Sequence, residues 1–167
     1  LYDKQGFELG QITKGKFDVT DFYGYDAAKK VFYYQAAAES PLRREVYFVS
    51  IDGKKSGKIS TLKGTNQVVF SKNFKYYINY FSNSQTPDLI TLHENSKGIQ
   101  IRVLQDNTVL KNTLKLFQIP QKEFFSFTTS EGIGLNGYMI KPAGFDPSKK
   151  YPVLMTQYSG PNSQSVA

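Results

Sequence analysis

A chain of 167 residues, 40% hydrophobic and 21% charged, has the make-up of a soluble globular protein with room for one domain, or for one and part of another. Its formal net charge of +7 raises nucleic acid as a partner, but the lysines lie scattered in turns and pairs, so no phosphate-binding face is expected. With no cysteine and one histidine, disulfides and thiolate metal sites are excluded and a zinc site is disfavoured; no cofactor is called for, and no apolar run reaches the ~18 residues of a membrane span.

The first residue is Leu1 rather than Met, so the true start is expected upstream, and no signal peptide is visible. Short β-type runs then follow at residues 16–23, 31–36, 45–51, 58–62, 67–70, 76–82, 89–94 and 100–104. Turn residues such as Asp52–Gly53, Lys63–Gly64 and Thr86–Pro87–Asp88 separate them. The aromatic content of 15%, all Tyr and Phe, suits a pleated surface. A strand about every 8–12 residues is the spacing of a sandwich, a barrel or a propeller. The runs Val46–Tyr47–Phe48–Val49 and Tyr76–Tyr77–Ile78 are apolar on both alternate faces, which favours a propeller, where both faces of a strand are covered. A weak echo at an offset of about 43 residues is of blade length. It divides the region into two blades, residues 10–63 and 64–106.

Residues 103–116 are the nearest thing to a helix, and 106–117 read as a connection. Pro120–Gln121–Lys122 resembles a boundary, after which 124–129 and 135–141 are β-type. The run 151–158 is continuously apolar in its middle, as in a strand buried on both faces, and ends at Ser159–Gly160–Pro161.

Gly132–Ile133–Gly134–Leu135–Asn136–Gly137 matches G-x-G-x-x-G, whose phosphate chemistry needs a helix directly after it. Here Tyr138–Met139–Ile140–Lys141–Pro142 follows, so the motif reads as a glycine-softened hairpin. His93, the one histidine, has no partner set for general-base work: Glu94 beside it points to the opposite face of a strand, and no Gly-x-Ser-x-Gly elbow occurs. It is expected to be structural. Tyr158 closes the 151–158 run just before a tight turn, and ligands gather beyond the carboxyl ends of strands in open α/β sheets. A phenol there could donate to an oxyanion, a contribution of about 3–4 kcal/mol for a single donor. Position by itself favours a plain structural tyrosine.

Two kinds of passage alter that balance. Phe145–Asp146–Pro147–Ser148–Lys149–Lys150–Tyr151–Pro152–Val153–Leu154–Met155, with Gln157–Tyr158–Ser159–Gly160–Pro161–Asn162–Ser163–Gln164, resembles the start of the hydrolase domain of dipeptidyl peptidase IV-type enzymes, within the prolyl oligopeptidase family. Gln11–Ile12–Thr13–Lys14–Gly15 and Arg102–Val103–Leu104–Gln105–Asp106–Asn107 are similar to parts of that group's propeller. The resemblance implies a β-propeller capping an α/β-hydrolase, an enzyme that removes N-terminal dipeptides with proline or alanine second. It further implies that Tyr158 supplies the oxyanion-hole hydroxyl. The family's Ser, Asp and His triad would lie downstream and its acidic pair for the substrate amine upstream.

The fold expected is therefore mainly β: the last blades of a propeller over residues 1–115, then a linker and the first strands of an incomplete α/β-hydrolase domain over 116–167. The expected activity is that of a serine exopeptidase acting on peptides, with this stretch inactive alone and self-associating through blade faces left uncovered. An exported protein of the bacterial periplasm or cell surface is the expected setting. Against this stand a non-catalytic β-rich module holding peptide or glycan, and a basic nucleic-acid binder whose affinity would fall steeply with salt.

Overall fold

The computed structural model describes residues 1–158, 160 and 163–166. Strands β1 (Val19–Asp26), β2 (Val31–Ala36), β3 (Glu45–Ser50) and β4 (Ser56–Lys58) form one antiparallel sheet, each pairing with the next along the chain. Strands β5 (Thr65–Phe70), β6 (Tyr76–Asn83), β7 (Thr86–Glu94) and β8 (Ile99–Gln105) form a second on the same plan. The sheets fall inside the stretches 10–63 and 64–106. A short helix, α1 (Thr108–Leu114), and a hairpin of β9 (Lys122–Thr128) with β10 (Gly134–Ile140) complete the described elements.

Local chemistry sets the turns. Asp26, Asp52, Asn73 and Asn83 each accept, through Oδ1, the backbone N–H two residues on, at 3.0, 3.1, 3.1 and 3.0 Å. Such side-chain turns fix where a strand reverses and so fix the register of the following pair. Pro87, expected in a separator, lies inside β7. Its missing N–H does no harm there, because the β6–β7 register is broken between Phe81 and Asn83 and the β7–β8 pairing begins only at Ile90.

The two sheets face one another across Val46, Val68 and Tyr77, flanked by Tyr23, Ile59 and Phe70. Tyr33 stands against Phe70 (4.6 Å between ring centres) and Phe74 (5.3 Å), so rings of both sheets interleave. Burying side chains of this size stabilises by about 1.5–3 kcal/mol each. On its other face the first sheet carries Tyr34, Ala36 and Val49, covered by Ile12 and Phe17 of the N-terminal segment. Its inner strands β2 and β3 are covered on both sides, as their apolar pattern suggests. The second is not: on β6 the buried Tyr77, Asn79 and Phe81 alternate with exposed Tyr76 and Tyr80, and β8 is exposed along its whole length.

A buried polar seam joins the sheets. Gln35 Nε2 donates to the Asn66 carbonyl (2.6 Å), and Asn66 Nδ2 donates to the carbonyls of Arg44 (3.2 Å) and Leu62 (3.0 Å). Asn66 Oδ1 accepts from Asn79 Nδ2 at 3.1 Å. The main chain repeats the link, with Arg44 N–H on the Gly64 carbonyl (3.0 Å) and Asn66 N–H on the Arg44 carbonyl (2.8 Å).

Two expectations are corrected. The 58–62 strand is displaced to Ser56–Lys58, because Ile59 and Ser60 N–H both turn to the Val46 carbonyl (2.8 and 3.4 Å) and the Ser60 hydroxyl takes the Val46 N–H (3.0 Å), which ends the ladder. The 151–158 run forms no strand, and its Val153, Leu154 and Met155 are exposed, Leu154 at 90%. A strand buried on both faces needs strands on both edges. Among the described residues the nearest pair, β9 and β10, bonds only to itself.

Candidate functional site

Beyond β10 the chain is organised by Asp146 and Tyr151. Asp146 Oδ1 accepts the Ser148 N–H (3.0 Å) and hydroxyl (2.7 Å), and these bonds hold its carboxyl below the usual range. The Asp146 N–H donates to the Tyr151 phenol oxygen (3.0 Å), and the Phe145 and Tyr151 rings lie 5.1 Å apart. The extended stretch to Tyr158 leaves from this knot.

Tyr158 is 70% exposed, and no hydrogen-bond partner reaches its hydroxyl among the described residues. Its ring lies over Gly160: a Cβ there would meet the ring edge and the hydroxyl at 2.7 Å, so a side chain at 160 would have to displace the ring. Ser163 N–H donates to the Gly160 carbonyl (3.2 Å). Ser159 and Pro161, the other members of the expected turn, and Asn162 after it lie outside the described residues. Gln164 Nε2 then donates to the Pro41 carbonyl at 3.2 Å, bringing this segment against the loop between β2 and β3. The phenol is thus open to solvent and able to hydrogen-bond an oxygen offered from there.

His93 sits elsewhere. Its ring stacks flat on Tyr77 (4.7 Å, 6° between planes), and Nε2 lies 2.8 Å from the Thr91 hydroxyl. Nδ1 is buried without a partner, and burial pushes the ring's pKa down. Among the described residues no carboxylate orients it, so they do not form around it the constellation a general base needs. The ring is packed into the second sheet. The Gly132–Gly137 motif likewise opens a strand: Gly132 turns at φ 80°, and Gly134–Ile140 pairs with β9, placing no helix N-terminus there. Gly137 is needed for packing, since a Cβ would come within 2.7 Å of the Phe125 ring.

The residues that sequence reasoning did not single out are Arg44 and the Pro41 carbonyl. Arg44 Nη1 donates to the Pro41 carbonyl (3.0 Å) and to that of Arg43 (2.8 Å). The only sequence sign of this was a pair of arginines just after a proline and before a strand.

The family profile described as the dipeptidyl peptidase IV (DPP IV) N-terminal region matches residues 1–88. The chain belongs to that family. Curated relatives named dipeptidyl peptidase 4, from Trichophyton rubrum and Arthroderma otae, are each 30% identical over 171 aligned residues; the alignments take in 100% of this chain and 22% of the relative. A crystal structure of Porphyromonas gingivalis dipeptidyl peptidase 4 superposes with a TM-score of 0.91 at 44% identity, covering 99% of this chain and 23% of that one. A Bacteroides ovatus structure shares the fold with a TM-score of 0.73, at 24% identity over 86% of this chain. The chain therefore spans about a fifth of the length of the relatives it matches.

Proposed function

We propose that this chain is a stretch of a serine-type dipeptidyl peptidase, in which residues 1–115 are the last blades of a β-propeller and residues 116–167 open an α/β-hydrolase domain. The observation that carries the reading is the agreement in sequence and fold with the P. gingivalis enzyme over 99% of the chain. The longer enzyme removes N-terminal dipeptides with proline or alanine second, through an acyl-enzyme. Tyr158 donates its hydroxyl to the oxygen of the scissile carbonyl as that oxygen gains charge, which is when a fixed donor is worth most. Its exposure, and a hydroxyl that no described residue reaches, support this role. The stretch alone is inactive. Its single histidine is stacked in the second sheet, so it cannot complete a triad, and a triad deprived of one member loses nearly all it gives. An exported location, in the periplasm or at the cell surface, goes with this reading.

The test is release of p-nitroaniline from Gly–Pro-p-nitroanilide by the full-length protein and by the 167-residue chain, with and without a serine-directed phosphonylating agent. The reading expects turnover by the full-length protein alone, abolished by the agent. Turnover that survives the agent, or no turnover, would overturn it.

A further inference from the structure

Lysines that lie scattered along the sequence are gathered by the fold. In each four-stranded meander the turns from an odd to an even strand fall at one end of the sheet. The β1–β2 turn carries Lys29 and Lys30, the β3–β4 turn Lys54 and Lys55, the β5–β6 turn Lys72 and Lys75, and the β7–β8 turn Lys97, every one exposed. The sheets are aligned, so the four turns share an edge. A parallel bridge between Arg44 and Thr65 makes β3 and β5 run the same way. At the turn end, Asn95 Nδ2 donates to the Tyr33 hydroxyl (2.8 Å) and to the Phe74 carbonyl (2.8 Å), which ties the turns of the second sheet to β2 near its own turn.

Little at this edge offsets the charge. Among the described residues none of these lysines is in an ion pair. The carboxylates at the turns are Asp26, Asp52 and Glu94, each bonded within its own turn: Asp26 is buried and accepts the Ala28 and Lys29 N–H, Asp52 takes the Ser50 hydroxyl, and Glu94 takes that of Ser96. At the opposite edge, by contrast, Arg43 and Lys58 are paired with Glu39 and Glu45. The β9–β10 hairpin also meets the sheets at that opposite edge, where Phe124 lines one cavity with Leu42, Gly64 and Gln85. The two sheets pack through their faces, so a further sheet packed in the same way would leave the turn edge open.

We infer that this lysine edge is a docking surface for an anionic membrane, seated on phosphate-bearing headgroups. The charges sit on the tips of four hairpins along one edge, an arrangement that meets a plane. They are all lysine, whereas the arginines Arg43, Arg44 and Arg102 lie elsewhere. A flexible ammonium suits mobile headgroups, and the rigid guanidinium fork suits a fixed phosphate. Ile51 is exposed among the lysines and adds an apolar contact. Among the described residues no helix or free two-stranded ribbon projects from this edge to enter a DNA groove. The inference uses only the two sheets and does not depend on the peptidase reading.

The test is sedimentation of the full-length protein with vesicles of equal parts phosphatidylglycerol and phosphatidylcholine. Binding is expected at about 50 mM NaCl, is expected to be lost at about 500 mM, and is expected to be absent with phosphatidylcholine alone. A lysine at an anionic surface is worth about fivefold in partition. The combined variant Lys29→Gln, Lys30→Gln, Lys54→Gln and Lys55→Gln is therefore expected to bind at least about 100-fold more weakly. A control of equal charge change away from the edge, Lys63→Gln, Lys115→Gln, Lys149→Gln and Lys150→Gln, is expected to bind as the unmutated protein does, with circular dichroism and Tm unaltered in both. No binding by the unmutated protein, equal losses in the two variants, or tighter binding to a DNA duplex than to the vesicles would each overturn the inference. A full-length protein that adsorbs in this way but releases no p-nitroaniline would remove the peptidase reading and leave the inference standing.

Discussion

Asn66→Ala removes the side chain on which both sheets converge. Three hydrogen bonds go with it. The Arg44 carbonyl keeps the Asn66 N–H at 2.8 Å and is not stranded. The Asn79 amide fares worse: its Oδ1 already has no partner and the residue is 5% exposed, so losing Asn66 Oδ1 leaves the whole group buried and unsatisfied. A buried polar group deprived of its partner costs about 1–3 kcal/mol. The vacated volume adds about 1 kcal/mol. The Leu62 carbonyl, in a residue nearer the solvent, contributes least. The expected loss is about 3 kcal/mol, or a fall in Tm of about 6–12 °C for a chain of this size. Asn66→Asp is the sharper variant. It keeps an oxygen for Asn79 but sets a second, charged oxygen against the carbonyls of Arg44 and Leu62, so it is expected to cost more than alanine. Urea unfolding at pH 7 followed by circular dichroism measures both. An alanine cost below about 0.5 kcal/mol, the level of an ordinary surface change, would refute the seam, and so would an aspartate better tolerated than alanine.

Gly64 faces a similar constraint in the backbone. At φ +156° its absent Cβ would come within 2.5 Å of the Ser82 carbonyl and 2.8 Å of the Phe81 ring, so Gly64→Ala is expected to cost about 1–3 kcal/mol in the same urea assay, and a neutral result would contradict the close approach. His93 predicts a pH dependence. Its folded-state pKa lies below the unfolded value because the ring is buried, so below about pH 6.5 the unfolded chain binds the extra proton and stability falls as pH drops. Urea midpoints at pH 7.5 and 5 should differ in that direction, a window above the range where the depressed carboxylates Asp52, Asp106 and Asp146 are protonated, and His93→Gln should flatten the difference. Finally, β8 and the outer face of β6 leave Ile99, Ile101, Tyr76 and Tyr80 exposed, and the 167-residue chain is expected to self-associate through them; light scattering that gives a monomer at every concentration would rule this out.

The strands of both sheets were legible because alternation and turn chemistry are local. Asp26, Asp52 and Asn73 announce their own turns, whereas the turn at Asn83 was expected three residues later, at Thr86–Pro87–Asp88. Where the reading slipped, the deciding partner was distant or missing. Ile59 and Ser60 look like strand residues, but the Val46 carbonyl draws both N–H groups and ends β4 early. Tyr76 and Tyr80 look like core residues, but nothing described covers their face. The 151–158 run has the composition of a central strand and, among the described residues, no neighbour to pair with. The seam at Asn66 was invisible, since a polar residue in a β-type run says nothing of a carbonyl 22 residues away. Tyr158 was singled out by its place at the end of the 151–158 run, and only family resemblance tipped the reading from a structural tyrosine to an oxyanion donor; its openness and the close approach of Gly160 were not encoded in any local pattern.

The most direct test of the account is kcat for Gly–Pro-p-nitroanilide in the full-length protein carrying Tyr158→Phe, a change that deletes one oxygen and keeps the ring. An oxyanion donor predicts a fall of about 100- to 1,000-fold with KM close to that of the unmutated enzyme. A kcat within twofold of the unmutated value would contradict it.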